Sequence, residues 1–274
     1  MALSGLADSA TKIMNIDTFY TDHWKEIEPE RIARYEQMFV WHDAQQLLVA
    51  GAEIEPGHRV VDVGAGPGFF ASGLAQMVGS KGQVAGVDIN ETFVTSAKER
   101  YAEHDNLSFH HVQDHRLPFA DDEVDRVICK NVLEYVPDLD ATLGEVFRVT
   151  KPGGRAHVID SDWGFIVVEP WSKETVDRFF AAAAPAFNEP YIGRRVAGAL
   201  KSAGFGSVDV KLSPFVDQSG RGLHVLRNMA SYIETFDTLP KAEVDRLLAE
   251  VEGALAAGQF LFVLPQFLVT ATKD

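Results

Sequence analysis

The chain has 274 residues, 46% hydrophobic and 24% charged, with a formal net charge of −15. That length suits one large domain, or one domain with a lid, and the acidic balance disfavours a nucleic-acid backbone as the main partner. The single cysteine, Cys129, excludes an intrachain disulfide and any cysteine-rich metal site. It lies in an apolar stretch and reads as a core residue. No unbroken apolar run reaches about 18 residues, so no membrane span is expected. Residues 1–11 lack the basic start and apolar centre of a secretory signal, which points to the cytoplasm.

Residues 1–50 read as helical and carry six rings between positions 19 and 41: Phe19, Tyr20, Trp24, Tyr35, Phe39 and Trp41. One reading packs these rings on the core; the other makes the segment a cap over a cleft, with some rings touching substrate. Pro56-Gly57 is a turn signal. Val60 to Val63 is β-branched around Asp62 and runs into Gly64-Ala65-Gly66-Pro67-Gly68, with helix-compatible residues from Ala71 to Val78. From there strands and helices alternate. Strands are expected over Gln83–Val87, Leu107–Val112, Glu123–Cys129 and Arg155–Ile159, and helices over Glu91–His104 and Leu139–Thr150, the latter stopped by Pro152-Gly153-Gly154. This alternation predicts right-handed βαβ units and a mostly parallel sheet with helices on both faces. Trp163 to Pro190 is less regular, with a helical piece from Thr175 to Phe187. A helix over Arg194–Ala203, a strand over Val208–Val216, mostly helical residues 219–257 and a last strand over Phe260–Ala271, interrupted at Pro265, complete the chain. About 40 residues between the last two strands exceed a normal connection and predict a helical lid over 217–258.

The loop is the strongest motif. Three glycines at alternate positions leave it almost bare, so that a ligand can lie against backbone beside the positive start of a helix. A dinucleotide fingerprint would place its third glycine at position 69, which is Phe69. The pattern is instead G-x-G-x-G preceded by Asp62. Val60 to Phe69 resembles the first motif of class I methyltransferases that use S-adenosylmethionine (SAM). Further matches run in order to about residue 160, and Phe147-Arg148-Val149-Thr150-Lys151-Pro152-Gly153-Gly154 is close to a recurrent family stretch. Among such enzymes the nearest likeness is to small-molecule methyltransferases of ubiquinone and menaquinone biosynthesis.

The resemblance implies a Rossmann-like, seven-stranded α/β sheet, mostly parallel with an antiparallel last strand. It implies an N-terminal helical cap over 1–50 and a SAM-binding domain over 51–274. It also implies cofactor contacts at Asp62, Gly64, Ala65, Gly66 and Gly68. Asp88 and Ile89, one βα unit later, suit the ribose diol; an acid there also suits the ribose of NAD. Asp114 would face the adenine amino group, with the His115 N–H on a ring nitrogen, and Asn131 and Val132 would line the methionyl part. Tyr20, Trp24, Tyr35, Tyr135, Trp163 and Arg194 are substrate-side candidates. Asp160, Asp162, His115 and Glu134 are candidates for orienting the acceptor or taking its proton. For Asp162 a helix-capping role is the competing reading. No His-x-Glu metal pattern and no G-x-S-x-G elbow occurs, so neither a metal nor a covalent intermediate is expected. Methyl transfer to O, N or C of a small molecule is the favoured function. Use of the aminocarboxypropyl chain of SAM, a non-catalytic SAM-binding subunit, and an NAD enzyme stay open, as does a homodimer.

Overall fold

The computed structural model describes residues 18–25, 27 and 41–274. Of the N-terminal segment 1–50 expected to be helical, residues 1–17, 26 and 28–40 fall outside these; residues 43–47 and 50–52 form short 3-10 turns. Helix α1 (Phe19–Lys25) precedes them.

Strands β1 (Arg59–Val63), β2 (Gln83–Asp88), β3 (Leu107–His111), β4 (Val124–Lys130) and β5 (Thr150–Ser161) run parallel. Three further strands, β6 (Val167–Glu169), β7 (Ser207–Ser213) and β8 (Val216–Asp217), precede β9 (Leu261–Val263) and β10 (Gln266–Thr272). The main sheet has the order β3-β2-β1-β4-β5-β10-β7, with β10 antiparallel to both neighbours. The expected seven-stranded, largely parallel sheet is therefore present.

Helices α2 (Phe69–Val78) and α3 (Glu91–Arg100) follow β1 and β2, and α4 (Leu139–Val149) follows β4. Each of the last two starts on a side-chain cap: Asn90 accepts from the Phe93 N–H and Asp138 from the Ala141 N–H. One apolar layer joins Val60, Ile128 and Ile159 to Leu74 and Ala75 of α2. The opposite face joins Val61, Val127 and Val158 to Leu143 and Val146 of α4. Strand alternation separates the two sets, so both faces of the sheet are buried. Cys129 is buried in the second layer, as its apolar setting suggested.

Three boundaries differ from expectation. Strand β5 starts at Thr150, not Arg155, because the Pro152-Gly153-Gly154 stretch is held by neighbours on its far side: the Gly153 N–H donates to the Lys273 carbonyl at 2.7 Å. The last apolar run is two strands, since Pro265 has no N–H to donate, and β9 joins β6 and β8 in a separate three-stranded sheet. The strand expected over 208–216 likewise breaks at 214–215, and its end turns into that small sheet.

The small sheet belongs to a second core. Helices α5 (Lys173–Ala183), α7 (Leu223–Phe236) and α8 (Lys241–Ala256) pack around Phe179, Leu226, Ile233 and Phe262, all fully buried. Phe19 of α1 joins the same cluster, edge-on to Tyr232 and Phe236. Helix α6 (Ile192–Ser202) lies instead on the main sheet against β10. Residues 217–258 thus share their core with 166–187.

Asp217 fastens the start of α7. Its carboxylate, 1% exposed, accepts from the Ser219 N–H (2.9 Å), the Ser219 hydroxyl (2.6 Å) and the Gly222 N–H (2.7 Å). Burial alone would raise its pKa, but these bonds outweigh burial and hold it below the usual carboxylate value. A lowered pKa adds stability that is present above the unfolded value and lost as pH falls through the folded one. Asp217→Ala is expected to cost about 1–3 kcal/mol at pH 7. In urea titrations the gap to the unmodified chain should shrink steadily as the pH is taken below 4.

Candidate active site

A cleft of about 300 Å³ opens at the carboxyl ends of β1, β2, β3 and β4. Strand order reverses there, β1 continuing to β2 on one side and to β4 on the other, which is where open α/β sheets leave a crevice. Asp62, Gly64, Ala65, Gly66, Asp88, Ile89, Asp114, His115, Asn131 and Val132 all line it. Gly68 does not; it is the residue before α2 and carries no side-chain cap, so the first turn of that helix meets the cleft through Phe69 and Phe70.

The glycines do different work. Gly64 has φ +71°, and a Cβ there would lie 2.2 Å from Val132 Cγ2. Gly66 has φ +52°, and a Cβ there would meet nothing within 4 Å. Gly64 is bare to let β1 and the loop after β4 close together, whereas the space at Gly66 opens on the cleft. The loop N–H groups are not free, contrary to the picture of a ligand lying on them. Those of Gly64 and Ala65 donate to the Val87 carbonyl (2.8 and 3.0 Å), and that of Gly66 donates to Asp88 Oδ2 at 2.7 Å.

Asp62 is 2% exposed, and its Oδ2 has no hydrogen-bond partner. Burial, with a contribution from Asp88, pushes its pKa up to about 8 against the pull of Lys130. Lys130 was given no role from sequence, although a lysine ending an otherwise apolar strand is a usable signal. It lines the cleft, and burial lowers its pKa despite Asp62, Asp160 and Glu134 nearby. Asp88 accepts from the Gly66 and Asn90 N–H groups, yet burial still raises its pKa. Asp114 is exposed and accepts from the Arg116 N–H at 2.8 Å.

Helix α1 closes one side of the cleft with Thr21 and Trp24. It is tied down twice: the Thr21 hydroxyl donates to the Tyr135 carbonyl (3.0 Å), and the Asn90 amide donates to the Trp24 carbonyl (2.8 Å). The Trp24 and Tyr135 rings meet edge-on at 4.9 Å, and both line the cleft. Tyr20 lies on the same helix but does not line it, and Tyr35 is outside the described residues. Trp41 packs edge-on against Phe70 at 5.3 Å.

The remaining candidates are not brought to the cleft. Among the described residues, none from 163 to 265 lines it, so Trp163, Arg194 and the 217–258 segment stand apart from it. Asp160 is fully buried and accepts from the Leu133 (3.1 Å) and Ser161 (2.9 Å) N–H groups. Burial raises its pKa to about 7. Asp162, also fully buried, takes a two-pronged bond from Arg194 (2.5 and 2.7 Å) and accepts from the Gly164 N–H. The Trp163 indole donates to buried Glu134 at 2.7 Å, and its ring stacks on Phe180. Glu134 has its pKa raised by burial and by Asp160. Sequence placed Asp160 and Asp162 at the end of β5, where they are; both are fully buried in these pairings, and neither lines the cleft.

A methyltransferase-domain family model matches residues 54–192, just over half of the chain. The chain belongs to the class I, SAM-dependent methyltransferase family. It is 29% identical over 160 residues to a demethylmenaquinone methyltransferase of Staphylococcus epidermidis, covering 58% of this chain and 64% of that protein. It is 35% identical over 121 residues to the ubiquinone/menaquinone biosynthesis C-methyltransferase UbiE of Vibrio parahaemolyticus, covering 43% of this chain and 46% of that one. The chain thus spans less than two thirds of the length of either relative. Among solved structures, a phosphoethanolamine N-methyltransferase 2 of Haemonchus contortus matches with a TM-score of 0.63 at 18% identity, over 96% of this chain and 61% of that one. At that identity the likeness is one of fold.

The two cleft glycines should respond differently to alanine. Gly64→Ala combines the positive φ with an unavoidable contact on Val132 and is expected to destabilise by about 2–4 kcal/mol. Gly66→Ala has only the backbone strain to bear, about 1–2 kcal/mol. Melting temperatures of the two variants provide the comparison; a larger drop for Gly66→Ala would contradict it.

Proposed function

We propose that this chain transfers a methyl group from SAM to a small-molecule acceptor. The observation that carries the reading is the unpartnered Asp62 Oδ2 beside the open backbone at Gly66 and the carboxylate of Asp88, all in one cleft. Bound SAM supplies a methyl made electrophilic by its sulfonium. Asp62 takes the ammonium of the amino-acid end, which gives a buried carboxylate atom its missing partner. Asp88 holds the ribose hydroxyls while keeping the glycine loop in shape through Gly66, and Ile89 packs beside it. Asp114 and the His115 N–H take the adenine edge, and Asn131 and Val132 the methionyl chain.

The acceptor enters on the α1 side, between Trp24 and Tyr135, and α1 serves as the cap. Alignment and exclusion of water there do most of the work of an in-line displacement. Where the acceptor must lose a proton, the candidate base is His115, which lines the cleft as Asp160 and Asp162 do not. Asp160, Asp162, Trp163 and Arg194 are assigned to holding the β5 end and the second core. The names of the quinone-pathway relatives support a small-molecule acceptor. No described helix is long and apolar enough to cross a membrane.

Calorimetry is expected to show SAM and S-adenosylhomocysteine binding with little heat from NAD. A pKa of about 8 leaves Asp62 mostly protonated at pH 7 in the free chain. Pairing with a cation ionises it, so binding should release a proton. Affinity should then rise by up to about tenfold per pH unit to a maximum near pH 8, and fall above it as the ligand's own α-ammonium, of pKa about 8, loses its proton. Asp62→Asn should abolish both the proton release and the rise in affinity below pH 8. A pH-independent affinity in the unmodified chain contradicts this role. Methyl-labelled SAM separates the activities: label in the product means methyl transfer, label left in the nucleoside means aminocarboxypropyl transfer.

A further inference from the structure

Strand β7 ends the main sheet, and among the described residues no strand pairs with its outer edge. Exposed edges offer unpaired amides to any other strand, and a charged residue in the middle normally blunts them. Here the strand reads Ser207-Val208-Asp209-Val210-Lys211-Leu212-Ser213. The side chains of Asp209 and Lys211 are 64% and 70% exposed. Val210 and Leu212 are 46% and 51% exposed.

This sequence is complementary to itself when reversed. Laid antiparallel about Val210, a second β7 sets Ser207 opposite Ser213, Val208 opposite Leu212, and Asp209 opposite Lys211 twice. On one face the two charge pairs are attractive. On the other, Val208, Val210 and Leu212 of both copies form one apolar row. That row already starts in the core, because these residues stand in register with Ala271, Val269 and Phe267 of β10. Helix α6 covers the β10 part, where Val269 and Ala271 are fully buried, but leaves Val210 and Leu212 exposed. Other pairings fail. A shift of two residues brings Asp209 onto Asp209 or Lys211 onto Lys211, a shift of one mismatches the faces, an in-register parallel pair aligns like charges, and a staggered parallel pair has no two-fold axis.

We propose that β7 is a dimerisation edge, joining two copies of this chain antiparallel about a two-fold axis through Val210 and continuing the sheet across both. The proposal is independent of the transferase reading. Lys211 lies 3.7 Å from Asp209 of its own strand, and in this register it also faces Asp209 of the second copy, so that the exposed charges of the edge alternate in sign across the pair and favour one partner in one register. A short strand pair with one apolar row is a small interface, so the association is concentration-dependent.

Sedimentation equilibrium at low salt, over a range of concentrations, tests it. The unmodified chain should approach twice its mass of 30.2 kDa. Asp209→Lys and Lys211→Asp should each raise the dissociation constant about tenfold or more, since each turns both pairs repulsive. Mixing the two variants should restore association, as should the double exchange in one chain. Both positions are exposed, and far-UV circular dichroism with melting curves confirms that the fold is kept. Val210→Cys should form a disulfide-linked dimer on mild oxidation, because facing residues of an antiparallel pair lie within disulfide reach. The native Cys129 is buried and should not cross-link. A monomer at every concentration, a dimer indifferent to both single charge variants, a mixture that stays monomeric, or a Val210→Cys chain that does not cross-link would each overturn the proposal.

Discussion

The reversal of strand order at β1 sends the helices after β1 and β4 to opposite faces of the sheet, and no backbone can fill the crevice between them. Helix α2 packs over Val60 and Ile128, and α4 over Val61 and Val127. The loops that lead into these helices must therefore part at the carboxyl end of the sheet. Gly64 keeps this parting narrow by letting Val132 approach to where a side chain would sit. Gly66 keeps its floor open. Every group proposed to hold the cofactor reaches the cleft from one of four strand ends.

Burial then sets the chemistry of these groups. Asp62, Asp88, Lys130, Asp160 and Glu134 all sit where water is scarce, and for each of them burial is the largest influence on its pKa. The carboxyls are pushed up and the lysine down, toward neutrality at ordinary pH. Asp160 meets this with two backbone N–H groups, and Glu134 with the Trp163 indole. Asp62 alone among the described carboxylates keeps a buried oxygen without a partner. Such an atom is costly in an empty cleft and favourable beside a bound cation.

The second core explains the length of the chain beyond the sheet. It binds α5, α7 and α8 to the small sheet, and through Phe19 it reaches α1. Helix α1 is thereby held from both sides, by the second core and by its bonds to Tyr135 and Asn90. Tyr232 and Phe236 of α7 thus pack against the helix that walls the cleft, although the segment itself supplies no lining residue.

Local pattern determined the main sheet. Alternating β-branched runs and capped helices have a period that any stretch of chain carries in itself, and the strand-end position of each cleft acid follows from that period. The glycine loop and the family it belongs to were legible for the same reason: a close approach such as that at position 64, made at a positive φ, leaves no room for a side chain. Pairing across long separations was not legible. That Asp162 would meet Arg194, that Trp163 would turn to Glu134, and that the run from Phe260 to Ala271 would divide between two sheets depend on contacts 29 to 32 residues apart or more. A strand end fixes where a side chain begins, but its neighbours decide where it points. Only the assembled structure separated the acids that face the cleft from those spent on holding it.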